Sequence, residues 1–246
     1  MSKTKLKNAP LKEVIFEVHW NGSVDSFGIE NDSEFDLAQG RFAEKIKTDF
    51  PVHKRLIPEN APFKIYGSPL HQYWRGEFKW PVVQHGQSIL AINEIEEGYE
   101  WETAFNPLVI DVLDKLNSSY NSELVFNKIN LQYIDAWDLE DGDNLNFVKD
   151  NLQTELINRY PIPGELKDFN INQNFSVFDN STLNVSITSG TNNDNGKRSI
   201  ILTTNVEHNG HVGLAYIYNW VNDAHTISSD MFKKMLNPNF YANLDK

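Results

Sequence analysis

Two stretches of this chain, about one half-length apart, can be laid over each other without a gap. Trp101 to Leu116 runs parallel to Trp220 to Met235. Trp101 and Trp220, Asp111 and Asp230, and Lys115 and Lys234 are identical pairs, and the apolar positions coincide. A chain that carries the same amphipathic segment twice is expected to fold as two similar lobes. The reading places the first in residues 1–122 and the second in 123–246, either side by side or sharing one continuous domain.

At 246 residues the chain is long enough for one large domain or two small ones, and either buries enough apolar surface to be stable without staples. The 40% hydrophobic and 12% aromatic content argues against disorder. There is no cysteine, which removes disulfides, thiolate nucleophiles and cysteine-bound metals from consideration. That fits a cytoplasmic protein. The basic start, Met1 to Lys7, has no apolar run behind it and does not read as a signal peptide. Lys3, Lys5, Lys7 and Lys12 are read as a solvated tail. Nothing approaches the roughly 18 apolar residues of a membrane span. A net charge of −12 gains little from the phosphate attraction that dominates nucleic-acid binding, so nucleic acid is not an expected partner.

Periodicity supplies the elements. Residues 13–20 alternate, with Val14, Phe16, Val18 and Trp20 on one face and Ile15, Glu17 and His19 on the other, as in a half-buried strand. Phe35, Leu37, Phe42, Ile46 and Phe50 have helical spacing before Pro51. The five-proline stretch from Pro51 to Pro81 reads as an irregular packed arm with short strands. Trp80–Gln84 and Ser88–Glu94 bracket His85-Gly86 as a hairpin. Asn106 and Pro107 read as the cap and first residue of a helix, with Leu108, Val109, Val112, Leu113 and Leu116 forming its stripe. Asn130–Leu139 predicts a strand and Asn144–Tyr160 a helix. Four strands follow, over Phe169–Phe178, Thr182–Ser189, Arg198–Glu207 and Val212–Tyr218, and then a helix over Val221–Leu236. The resulting fold class is α+β: antiparallel sheet with helices packed on one face, in two strand–helix–strands–helix lobes with a possible internal duplication. The arrangement is similar to duplicated folds of the TATA-binding or helix-grip sort, a likeness that carries no function.

Several segments also resemble a known family. They are Pro10 to Val18, Pro81 to Asn93, Tyr99-Glu100-Trp101 with Phe105, Ile129 to Asp135, and Asp223-Ala224-His225 with Phe232. Their order and spacing are similar to a sporadically distributed family of bacterial and archaeal proteins of about this length and unassigned function. In that family the strand at 131–135 reads closer to Leu-Arg-Tyr-Ile-Asn; Gln132 and Asp135 stand here in place of the Arg and the last Asn. The resemblance brings no catalytic residues. It implies accessory, horizontally moving genes, of the kind linked to defence or mobile-element systems.

Side chains capable of chemistry are scattered. Glu207-His208-Asn209-Gly210-His211 offers ligands that zinc accepts, but it reads as a polar turn. His225 reads as a hydrogen-bonded core histidine or a general base. Asp135, Asp138, Glu140, Asp141 and Asp143 could hold a hard cation or form a solvated loop. Gly190 to Ser199 lacks the spacing and following helix of a phosphate loop. Glu13, Glu17 and His19 share a wet strand face. Tyr73, Trp74 and Arg75 are of the types enriched at binding hot spots. The sequence therefore points to a binding protein with no catalytic residues, metal or cofactor of its own. It would engage a protein partner or small ligand through the open sheet face or the Pro51–Pro81 arm, with Tyr73, Trp74 and Arg75 in contact. The alternative is a metal-dependent hydrolase or nuclease using the Glu/His face or the Asp cluster.

Overall fold

The computed structural model describes residues 6–24, 30–58, 66–140, 144–155, 164 and 166–246. The elements in the first half are β1 (Leu11–Trp20), the short pair β2 (Ser23–Val24) and β3 (Glu30–Asn31), α1 (Phe35–Ile46), β4 (Val52–Arg55), β5 (Pro69–Gly76), β6 (Lys79–Gly86), β7 (Ile89–Glu94) and a π-helical turn (Trp101–Phe105) running into α2 (Asn106–Asn117). The second half has β8 (Phe126–Asp138), α3 (Asn144–Asn151), β9 (Asn170–Ser176), β10 (Ser181–Thr191), β11 (Arg198–Val212), α4 (Leu214–Met235) and α5 (Pro238–Asn243). The fold is α+β. Nine strands form one antiparallel sheet in the order β4-β5-β6-β7-β1-β8-β11-β10-β9.

The middle of that sheet is the pair β1·β8, with Phe16 opposite Leu131 on one side and Ile92 on the other. Strand alternation sends Val14, Phe16, Val18 and Trp20 toward the helices, where all four are buried. Facing them are Phe42 and Ile46 of α1, Val109, Val112, Leu113 and Leu116 of α2, and Ile217, Trp220, Val221 and Ala224 of α4. The core runs as one cluster from Leu11 to Leu244, crossing residue 122 without a break.

Outward from β1·β8, one side reads β7, β6, β5, β4 and the other β11, β10, β9. In each half the innermost strand is followed by a helix, the return strands run from the outside inward, and a second helix closes the unit. At four paired positions of the two segments both residues are buried, Trp101 and Trp220, Phe105 and Ala224, Val109 and Ser228, Leu116 and Met235, whereas Met231 and Phe232, opposite buried Val112 and Leu113, are only partly buried.

Several sequence expectations need correction. The Pro51–Pro81 stretch contains β4, β5 and the start of β6. Its prolines do not prevent this, because Pro69 opens β5, while Pro81 sits at a register shift between Trp74 and Gly76 and beyond the last residue paired with β7. The β6–β7 turn is Gln87-Ser88, two residues later than expected. Gly86 is a strand residue whose backbone lies against Ser68, where a Cβ would run into the Ser68 carbonyl oxygen. Asn106 does not cap α2; the chain is already helical from Trp101, and the Asn106 N–H bonds to the Trp101 carbonyl as the π turn closes. The helix from Asn144 ends at Asn151, and Leu152 bridges to Leu236; Leu156 and Tyr160 lie outside the described residues. Val212–Tyr218 is not a strand, since α4 begins at Leu214. Its buried residues Ile217, Trp220, Val221 and Ala224 keep helical spacing, which overrides the β-favouring tyrosines. Leu37 of the predicted α1 stripe faces solvent at 67% exposed.

Two glycines give opposite expectations. Gly86→Ala should lower the melting temperature, with an overpacking cost of ~1–3 kcal/mol. Gly40, exposed inside α1 with open space where a Cβ would stand, should become more stable by ~0.5–1 kcal/mol as alanine. Chemical denaturation of both variants checks the pair.

Candidate binding sites

On the face opposite the helices, alternate positions of neighbouring strands carry amides. Trp74 Nε1 donates to Gln72 Oε1 (3.3 Å), Gln72 Nε2 to Gln84 Oε1 (3.1 Å), Gln84 Nε2 to Asn93 Oδ1 (3.1 Å), and Asn93 Nδ2 to Glu13 Oε1 (2.8 Å). The relay crosses β5, β6, β7 and β1 and ends on a carboxylate. Each amide donates to the next, so the polar groups of the relay are satisfied by one another. Toward the other edge, Glu17 holds His19 (2.7 Å) and Glu207 holds Lys128 (2.7 Å).

The outer end of the relay is aromatic. Trp74 meets Trp80 edge-on (ring centroids 5.4 Å, 71°) and Phe78 at 6.2 Å. The Lys54 ammonium sits 3.3 Å above the Phe78 ring. Phe78 is at the tip of the β5–β6 hairpin, 65% exposed, with φ of +56°. That is a left-handed conformation which non-glycine residues adopt at a cost of roughly 1–2 kcal/mol.

Tyr73, Trp74 and Arg75 do not share one surface, because successive strand residues point to opposite sides. Tyr73 is 1% exposed and belongs to the core, against Phe42 and stacked on His53, with Gln39 Nε2 donating to its hydroxyl. Arg75 is exposed, its guanidinium 5.8 Å from the Phe50 ring. Trp74 is 8% exposed and lies with the open-face aromatics.

A second site lies under the helices. A cavity of about 430 Å³ opens between the start of β1, β8, the π turn, α4 and α5, with Leu11, Tyr99, Trp101, Tyr133, Phe232 and Tyr241 in its wall. The His225 ring lies flat on Trp101 (3.9 Å, 8°). A hydrogen-bonded chain joins Tyr99 to Tyr133 (3.0 Å) and Tyr133 to His225 Nδ1 (2.8 Å). Burial raises the pKa of both phenols, so they stay neutral donors. Beside them Asp135 also lines the cavity, 6% exposed. No hydrogen bond or ion pair among the described residues reaches its carboxylate, and burial pushes it from the ordinary 3.8 up to about 7.

The other candidates separate. Asp138 accepts from Ser199, Asn195 and Asn192 at the β10–β11 turn, and these bonds hold it below the usual carboxylate range. It points away from Asp135, which sits on the helix side with Tyr133 by strand parity; Asp141 and Asp143 lie outside the described residues. His208 is buried inside β11, not in a turn, near Ser181 and Tyr216 at 3.5 Å, while exposed His211 pairs with Asn21. Among the described residues no three His, Asp or Glu side chains converge as a metal centre requires. His85, read as a turn residue, is fully buried among Trp20, Phe35 and Phe42 with neither ring nitrogen bonded, and burial drops it to about 3. No helix among the described residues is long and apolar enough to cross a membrane.

The chain matches no family model, no curated protein and no solved structure.

Asp135 makes stability pH-dependent with a definite sign. Its folded pKa lies above the unfolded one, so its contribution is fully present below 3.8 and is lost as pH rises through about 7. Asp135→Asn removes that loss. Thermal melts across this range should show the wild type falling more steeply with pH. At about pH 8 the variant should be the more stable, because a neutral amide costs less to bury there than a carboxylate.

Proposed function

We propose that this is a binding protein that engages a protein partner through the tip of its β5–β6 hairpin. The observation that carries the reading is Phe78. A glycine or asparagine would occupy a φ of +56° at lower cost, and exposing a phenyl ring there does nothing for the core. Strain of this kind persists where surrounding structure enforces it and concentrates at functional places. Trp74, Trp80 and the Lys54 ammonium supply that enforcement. Exposed Arg75 and Lys79 flank the tip, and with Lys54 they outweigh Glu77. The complementary partner presents an apolar residue between carboxylates. The hairpin keeps Trp74 in the contact and adds Phe78 and Trp80, while Arg75 flanks it from the other side of the strand. Tyr73 acts from beneath, fixing the strand.

The two lobes are also read as one folding unit used twice. The matching strand order on either side of β1·β8 and the matching buried positions of α2 and α4 support this. Superposing 11–117 on 126–235 should align β1, β5–β7 and α2 with β8, β9–β11 and α4; a best fit that breaks this correspondence would reject it.

Phe78→Asn separates binding from folding, since asparagine tolerates the left-handed region. The variant should melt within ~0.5 kcal/mol of wild type, the usual range for a surface change. It should lose a partner that wild type retains from lysate of the source cells. A photo-crosslinking residue at position 78 should attach to that same partner. Equal retention by wild type and variant would reject the site.

A further inference from the structure

We propose that the cavity under α4 binds a small organic cation, a protonated amine with an apolar or aromatic body, whose ammonium pairs with the Asp135 carboxylate. The site is independent of the hairpin. Its volume, about 430 Å³, falls in the ordinary range for small-molecule pockets. The polar groups in it are of two kinds. Tyr99, Tyr133 and His225 are hydrogen-bonded to one another. Ser228 Oγ, by contrast, is a buried atom with no partner among the described residues, no hydrogen bond or ion pair among them reaches the Asp135 carboxylate, and both residues are more than nine-tenths buried. A buried carboxylate without a donor is costly, and an ammonium supplies both the charge and the donors it lacks.

The walls favour the same class. Tyr99, Trp101, Tyr133, Phe232 and Tyr241 line the cavity, and aromatic faces attract cations, more strongly where water is excluded. At the rim Glu100 and Asp245 outnumber Lys233, so a carboxylate or phosphate ligand would meet like charge on entry and again at Asp135. A neutral alcohol could donate to Asp135 but would leave its charge uncompensated. The body of the ligand lies against apolar and aromatic side chains, so a hydrated inorganic cation fits poorly.

Calorimetric titration of the full chain at about pH 8, where Asp135 is ionised, tests this with three probes of similar shape: phenethylamine, 2-phenylethanol and 3-phenylpropionate. Phenethylamine should bind at least ~10-fold more tightly than the alcohol, with the carboxylate weakest. Its binding should shift the Trp101 indole N–H and the Ser228 amide in nuclear magnetic resonance spectra. Asp135→Asn should bring the amine down to the affinity of the alcohol and leave the alcohol within about twofold. Failure of phenethylamine to bind at ~10 mM, equal binding of amine and alcohol, shifts confined to other residues, or an unchanged Asp135→Asn affinity would each overturn the proposal. Should that variant not fold, the order of the three probes and the location of the shifts on the wild type decide.

Discussion

Everything in this molecule hangs on the antiparallel pairing of β1 with β8. Each strand is the innermost of its own half, and each is paired on its other side, β1 with β7 and β8 with β11. The join makes one nine-stranded sheet with one core. Because side chains alternate across a strand, the register of this one pair decides which residues face the helices in both halves. A one-residue slip would put Glu13, Glu17 and His19 under α2 and α4 and send Phe16 and Leu131 to the wet side.

The two faces of that sheet then follow different rules. The helix side is closed and apolar, and some of its polar residues are satisfied locally: Asp32, for example, accepts from both Trp20 Nε1 (3.1 Å) and Tyr120 OH (2.7 Å). Asp135 differs from it, a carboxylate on the apolar face that lines a cavity. The open side solves the same problem by cooperation, passing donors from Trp74 to Glu13 through three amides. Where the relay ends, the outer hairpin carries aromatic rings into solvent. The two candidate sites thus lie on opposite faces and call for different ligands.

What could be read in advance was local. The alternation of Val14, Phe16, Val18 and Trp20 showed strand and face together, and the spacing of Val109, Val112 and Leu116 showed the buried side of α2. Less was legible where a tertiary neighbour overruled a local signal. Gly86 resembles a turn glycine until Ser68 is seen against it, and the tyrosines of 216–218 suggest strand until Ile217 and Trp220 are seen turning into the core. The cavity had one overlooked cue: Asp135 falls in the same alternation as Leu131 and Tyr133, which puts a carboxylate on an apolar face. Reading it with Asp138 and Glu140 as an acidic cluster hid this, because neighbours in sequence on a strand project to opposite sides. The amide relay had a fainter cue, since Gln72, Gln84 and Asn93 become a row only when the strand register is known.

Sequence by itself determined the α+β class, the placement of most strands and the amphipathic faces, because periodicity is a property of neighbouring residues and survives without knowledge of the partner. Only the tertiary structure decided which carboxylate is left without a donor, which histidine is stacked on Trp101 and which ring is held out at the hairpin tip. Those outcomes depend on which distant residues arrive at the same place, and on how much water their packing leaves behind.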